Sequence, residues 1–353
     1  MRPARTLTVM VLEDLTPAQV AAASSPPLTI GHGVLHDSLS RLGRFAIYTM
    51  PEPWGLVDAE TRGLASSVVL IPDMERVTLD RFVAECPDVD AVVGLGGGAS
   101  VDAAKYVGWR TGRPVITAPT IVSVDASVTN TIAVREQSRV NYVGFVIPRQ
   151  VVVELDIVQQ APARLNRAGI GDILSIHTGS FDWRVAGRAG KATVDEPAVA
   201  RAARLVEALY ANAGQIRAVT DSSLDLLIRA YIENNALCLE AGTAQPEEGS
   251  EHFWAYHVES LTGRTFVHGE LVSLGVLIMS HLQQNQPDRV RQLLDEVGIL
   301  YQPRDLGISR DELRESLLRL PAYITAEGHW YTIVNEQPPD LAFVERVAGN
   351  LEF

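Results

Sequence analysis

The chain has 353 residues, 46% hydrophobic and 21% charged, which suits a folded protein of two ordinary domains. Its formal net charge of −13 argues against a nucleic-acid surface, because no basic stripe is available to neutralise phosphates along a groove. Any anionic ligand must therefore be met locally, by backbone amides, a few placed cations or a metal ion. Two cysteines, Cys86 and Cys238, form neither a disulfide framework nor a paired metal knuckle and fit a reducing cytoplasm. The first residues lack a long apolar core of the signal-peptide kind. The longest apolar run, LVSLGVLIM, is well short of the roughly 20 residues that span a bilayer, so no membrane segment is expected.

In chain order, TLTVMVL and PPLTIG read as strands, and from Arg44 to about Thr131 short apolar runs alternate with helical stretches: RFAIYTM, ASSVVLIPD, AVVGLGGG and RPVITAPT. Repeated strand and helix with glycine or proline at the joints predicts a parallel sheet covered by helices. VNYVGFVIP and QVVVEL add strands, and Asp156 to Ala161 reads as the passage to a second part. Beyond Pro162 long stretches carry apolar residues at helical spacing, such as Leu205, Leu209 and Ala213, or Leu224, Leu227 and Tyr231. The expected architecture is α/β plus α. Residues 1–160 would form a Rossmann-like α/β domain and residues 161–353 an all-helical domain, with a small-molecule site in the cleft between them.

Four glycines in five positions, Gly94 to Gly98, end an apolar strand and open onto the helix SVDAAKYVGWR. That places free amides at a helix N-terminus, an anion-binding geometry. The spacing is neither GxGxxG nor the phosphate-loop pattern; a turn needed only for tight packing is the plainer alternative. Asp102 and Lys105 share a helix face three residues apart. Thr117, Thr120, Ser123, Asp125, Ser127 and Thr129 follow in a polar loop at the carboxyl end of the next strand, where α/β sheets bind ligands.

Three pieces of the helical half place metal-ligating side chains at the starts of apolar helices: Asp172 in GIGDIL, His252 in GSEHFWAYH and His268 in FVHGELVSLG. Nitrogen and carboxylate donors suit zinc, with nickel and iron as alternatives, and three protein ligands leave a position for substrate. Their separations match no local metal signature. From spacing alone each histidine, like His177, His257 and His281, is more often structural than a ligand. Glu270 could orient His268 or simply complement a helix dipole.

Taken together, GGGASVDAAK resembles the GGGxxxDxxK signature of the iron-containing alcohol dehydrogenase and glycerol dehydrogenase superfamily, and APTIVSVDA resembles its PTxxSxD loop. GIGDIL, GSEH, HGE and the late YTIV resemble, in order, segments of its glycerol-1-phosphate dehydrogenase branch, within a fold similar to dehydroquinate synthase. The resemblance implies an NAD(P)-dependent dehydrogenase acting on a polyol or polyol phosphate, cytoplasmic and homo-oligomeric. By position, Gly96, Gly97 and Gly98 would line the pyrophosphate, with Asp102 and Lys105 supporting the loop. Thr117, Thr120 and Ser123 belong to the cofactor side, and Asp125 would face the substrate. Asp172, His252 and His268 would hold one divalent metal. Glu52, after the second strand, would read the ribose and favour NAD over NADP. Where that branch carries basic residues before YTIL and a histidine four after the first ligand histidine, this chain has His329, Trp330 and Tyr256, and Arg135, Arg139, Arg184 and Arg264 are the arginines considered for a phosphate. A polyol dehydrogenase without phosphate recognition, a sugar-phosphate cyclase like dehydroquinate synthase and a nucleotide-binding protein without turnover are the alternatives.

Overall fold

The computed structural model describes residues 15–136 and 139–353. The expected strand TLTVMVL lies outside the described residues, as does the side chain of Arg139. Two compact units are present. Among the described residues, one comprises 15–166 and 219–236, and the other comprises 167–218 and 237–353.

The first unit is built on six parallel strands in the order β1-β8-β5-β4-β2-β3. These are β1 (Leu28–Gly31), β2 (Phe45–Thr49), β3 (Ser67–Leu70), β4 (Ala91–Gly96), β5 (Val115–Pro119) and β8 (Gln150–Glu154). Period-two alternation divides their side chains between two cores. Ala46, Tyr48 and Val92 meet Leu79, Phe82, Ala103 and Val107 on one face. Phe45, Ile47, Val93 and Leu95 meet Leu35, Leu39 and Val57 on the other. A central strand buried on both faces reads as a continuous apolar run, and AVVGLG is buried throughout. The remaining strands, β6 (Ile132–Glu136) and β7 (Arg139–Val143), form a separate antiparallel pair. The reading of VNYVGFVIP as a strand found β7 but not its partner β6.

The second unit is helical in its described part. The expected long helix after Asp195 is two: Glu196–Ala211 and Ala213–Ala218, separated at Asn212, whose amide caps back onto Ala208 O. Val206 and Leu209 are buried there, whereas Leu205 is only half-buried. Helix Asp221–Ala241 belongs to the first unit as far as residue 236, with Leu224, Leu227 and Tyr231 buried. No helix among the described residues is long and apolar enough to cross a membrane.

Strand β4 approaches the helix Gly98–Thr111 so closely that a β-carbon on Gly94 would lie 2.8 Å from both Ser100 O and Val101 Cα. Those are backbone atoms and cannot swing away. Gly94→Ala should therefore lower stability by about 1–3 kcal/mol, measured from the shift of the urea unfolding midpoint. Gly214→Ala, with open space around its β-carbon position in helix Ala213–Ala218, should be neutral or stabilising.

Candidate active site

The glycine loop of the first unit joins β4 to the helix Gly98–Thr111, with Gly97 as its extended N-cap. Gly96 has φ +145°, a conformation L side chains rarely adopt, and a β-carbon there would overlap Ser100. Val101 N already bonds Gly97 O, so the amides that open this helix are those an anion could meet. Thr120 N donates to Gly96 O at 3.1 Å, tying the next loop to the glycine run.

That next loop is braced from beneath. Lys105, fully buried, sits 2.7 Å from Asp102 Oδ1 and donates to the carbonyls of Thr131 (2.7 Å) and Thr129 (3.3 Å). Burial pushes the Asp102 carboxyl up, and the Lys105 ammonium opposes that shift. The Thr117 hydroxyl, also fully buried, donates to Ser127 O at 2.8 Å. Val122 N is held by Asn166 Oδ1 and Val122 O by the Tyr231 hydroxyl. Thr117, Asp102 and Lys105 thus shape the loop, leaving partly exposed Ser123 and Asp125 on it; Asp125 opens a short 3₁₀ turn, Asp125–Ser127. Glu52 stands exposed in the first turn of the helix Pro51–Leu56 that follows β2.

In the second unit three helix starts converge. Asp172 is in the helix Ile170–Leu174, His252 in the first turn of Ser250–Thr262, and His268 opens His268–Gln283. One ligand atom from each lies within 4.8 Å of the others, and Asp172 and His252 are buried. The two rings are 5.3 Å apart between centroids, and His268 Nε2 is 3.4 Å from Asp172 Oδ1. This approach depends on two glycines: a β-carbon on Gly171 would fall 2.5 Å from Gly269 Cα, so the segments bearing Asp172 and His268 touch backbone to backbone.

Glu251 stands behind His252. Its Oε1 lies 3.1 Å from His252 Nδ1 and accepts from Gly249 N at 2.6 Å. With the proton on Nδ1, Nε2 keeps the lone pair a metal needs. Burial lowers the basicity of His252, but Glu251, Glu248 and Asp172 outweigh it and raise its pKa to about 9. A donor set of two imidazoles and a carboxylate, in surroundings this rich in anions, fits a divalent cation. Glu270, fully buried, lies two residues after His268.

Sequence reasoning missed Asp182. Its fully buried carboxylate accepts from Ser250 N (2.8 Å), Ser250 Oγ (2.6 Å) and Ile333 N (2.8 Å). It joins the start of the His252 helix to YTIV, where Thr332 caps the helix Ile333–Glu336. Burial, then the charge of Glu251, pushes its pKa up to about 7 against these three donors. His177 is a structural histidine, with Nε2 2.8 Å from Asn285 O, and His257 stacks on Tyr323.

Comparison with known proteins matches residues 59–162 to the family described as iron-containing alcohol dehydrogenase. Glycerol-1-phosphate dehydrogenase [NAD(P)+] of Thermococcus kodakarensis is 30% identical over 246 residues, 69% of this chain and 70% of that protein. The chain belongs to the iron-containing alcohol dehydrogenase family. Within the family, glycerol-1-phosphate dehydrogenase [NAD(P)+] of Aeropyrum pernix is 29% identical over 280 residues, covering 79% of each chain. The family fold is also seen in a probable glycerol dehydrogenase from Sinorhizobium meliloti 1021, with TM-score 0.66, 22% identity, and coverage of 91% of this chain and 95% of that one.

Two substitutions test this scaffold. Lys105→Met leaves Asp102 buried without its counter-charge and should cost about 3–5 kcal/mol, with weaker NAD+ binding seen by calorimetry. Asp182→Asn turns an amide N–H₂ toward N–H donors and should cost about 1–3 kcal/mol. Thermal unfolding should shift down together with the content of divalent metal retained after dialysis.

Proposed function

We propose that this protein is a metal-dependent, NAD(P)-linked dehydrogenase that oxidises a secondary hydroxyl of a polyol or polyol phosphate and reduces the corresponding ketone. The observation that carries the reading is the convergence of Asp172, His252 and His268 at three helix starts. The chemistry a divalent cation supplies in such a site is polarisation of a substrate oxygen, which lowers the pKa of the hydroxyl. The chain's own residues do the rest. Glu251 fixes the His252 ring, the amides after Gly97 receive the pyrophosphate, and the Lys105 brace holds the loop bearing Ser123 and Asp125, with Asp125 toward substrate. In oxidation, the carbinol carbon gives a hydride to the nicotinamide and the hydroxyl gives a proton to solvent.

The same reading takes zinc as the metal and NAD over NADP. An exposed Glu52 after β2 would hydrogen-bond a ribose and repel a 2′-phosphate. It also takes a homo-oligomeric state and a cytoplasmic location, the latter in keeping with the free thiols Cys86 and Cys238.

Asp172→Asn and His268→Ala should each abolish NADH formation and zinc retention while NAD+ binding stays essentially unchanged. Wild-type rates in either variant refute the ligand assignment. Net NADH accumulation separates a dehydrogenase from a cyclase, which forms it only transiently, and from a protein that binds nucleotide without turnover. Chelation of the metal should lower the thermal midpoint, because an ion bound only by the folded state stabilises it.

A further inference from the structure

The helix His268–Gln283 starts at the metal ligands and ends at a second concave place. His281 stands in its last turn, about 20 Å along the axis from His268 at a rise of 1.5 Å per residue. A cleft of about 240 Å³ lies there, wholly within the second unit and lined by His281, Leu282, Gln284, Gln337, Asp340, Phe343 and Arg346. Leu282 and Phe343 are buried and supply its apolar part.

Two opposite charges line this cleft without pairing. Arg346 stands 5.4 Å from the centroid of the Phe343 ring and has no ion-pair partner among the described residues. Arginines such as Arg184, Arg289 and Arg310, by contrast, are each held by a glutamate. Asp340 spends one carboxylate oxygen on Phe343 N, at 2.7 Å, capping the helix Leu341–Ala348, and no cation among the described residues meets the other. The further charges acting on His281 are one of each sign, Arg291 and Asp288. His281 itself is neutral near pH 7, since burial, then Arg291, lowers its pKa, and its Nε2 is buried with no hydrogen-bond partner.

The backbone at one lip is strained. Gln284 and Gln286 have φ +53° and +49°, the left-handed region where glycine usually ends a helix. The turn is fixed from behind: His177 Nε2 donates to Asn285 O at 2.8 Å, and Asn285 Nδ2 donates to His177 O at 3.1 Å. A glutamine kept at 284 against its backbone preference gives the cleft a side-chain amide where glycine would give none.

We propose that this cleft binds a small zwitterion, a molecule bearing both a carboxylate and an ammonium group, such as a free amino acid. Arg346 receives the carboxylate, with the Gln284 amide as a second donor, and the open oxygen of Asp340 receives the ammonium. Leu282 and Phe343 meet the carbon skeleton. A simple anion gains Arg346 but meets Asp340, and a simple cation gains Asp340 but meets Arg346, so only a ligand with both charges satisfies the pair.

The test is direct binding to the full-length protein by saturation-transfer NMR. Glycine, L-alanine and 4-aminobutyrate are titrated beside butyrate and butylamine, which carry one charge each. At least one zwitterion should bind about tenfold or more tightly than either singly charged compound. Arg346→Gln and Asp340→Asn should each remove that preference, and asparagine still caps the helix. Gln284→Gly relieves the left-handed backbone, so it should weaken zwitterion binding severalfold without lowering the thermal midpoint. No binding of any zwitterion, equal binding of the singly charged compounds, or unchanged affinity in any of the three variants overturns the proposal.

Discussion

The carboxylate of Asp182 has no exposure, yet three donors from remote stretches of chain converge on it. Ser250 begins the helix of His252, and Ile333 follows the segment bearing His329 and Trp330. A ligand geometry is only as definite as the backbone that presents it, and a buried carboxylate with matched donors has few alternative arrangements. The ligand helix and that segment therefore share one anchor. Disturbing Asp182 moves both.

Three helix N-termini pointing at a cation site look unfavourable, because each carries a partial positive charge. The chain offsets this with anions in the same first turns: Asp172, Glu251 and Glu270. In the first unit the amides opening Gly98–Thr111 present the same polarity toward the glycine loop. The buried pair Asp102 and Lys105 serves a different purpose, holding carbonyls of the Thr129–Thr131 segment in place.

Much of this was legible in the sequence. Short continuous apolar runs pointed to the parallel sheet, because a central strand buried on both faces cannot alternate with polar residues. GIGDIL, GSEH and HGE named the segments whose Asp172, His252 and His268 the fold brings together, although their sequence separations carried no spatial information. What joins them is a contact between Gly171 and Gly269, and backbone contact leaves no side-chain pattern to read. Asp182 was missed because an aspartate inside an amphipathic helix looks solvated until its burial is known. Thr117 was read toward the cofactor by position; its bond to Ser127 O, which braces the loop, was not legible. The break at Asn212 was hidden since the apolar spacing continues through it, while the amide closes the turn locally.

Helix Ser250–Thr262 sets the metal ligand and its flanking ring on one ruler. Residues four apart lie on one face about 6 Å along the axis, so His252 and Tyr256 are stacked one turn apart while Glu251 fixes the imidazole from the other side. His252 is thus oriented by one neighbour, Glu251, and flanked by another, Tyr256. Position 256 and its partner Glu248 can vary in charge and shape without altering the donor set.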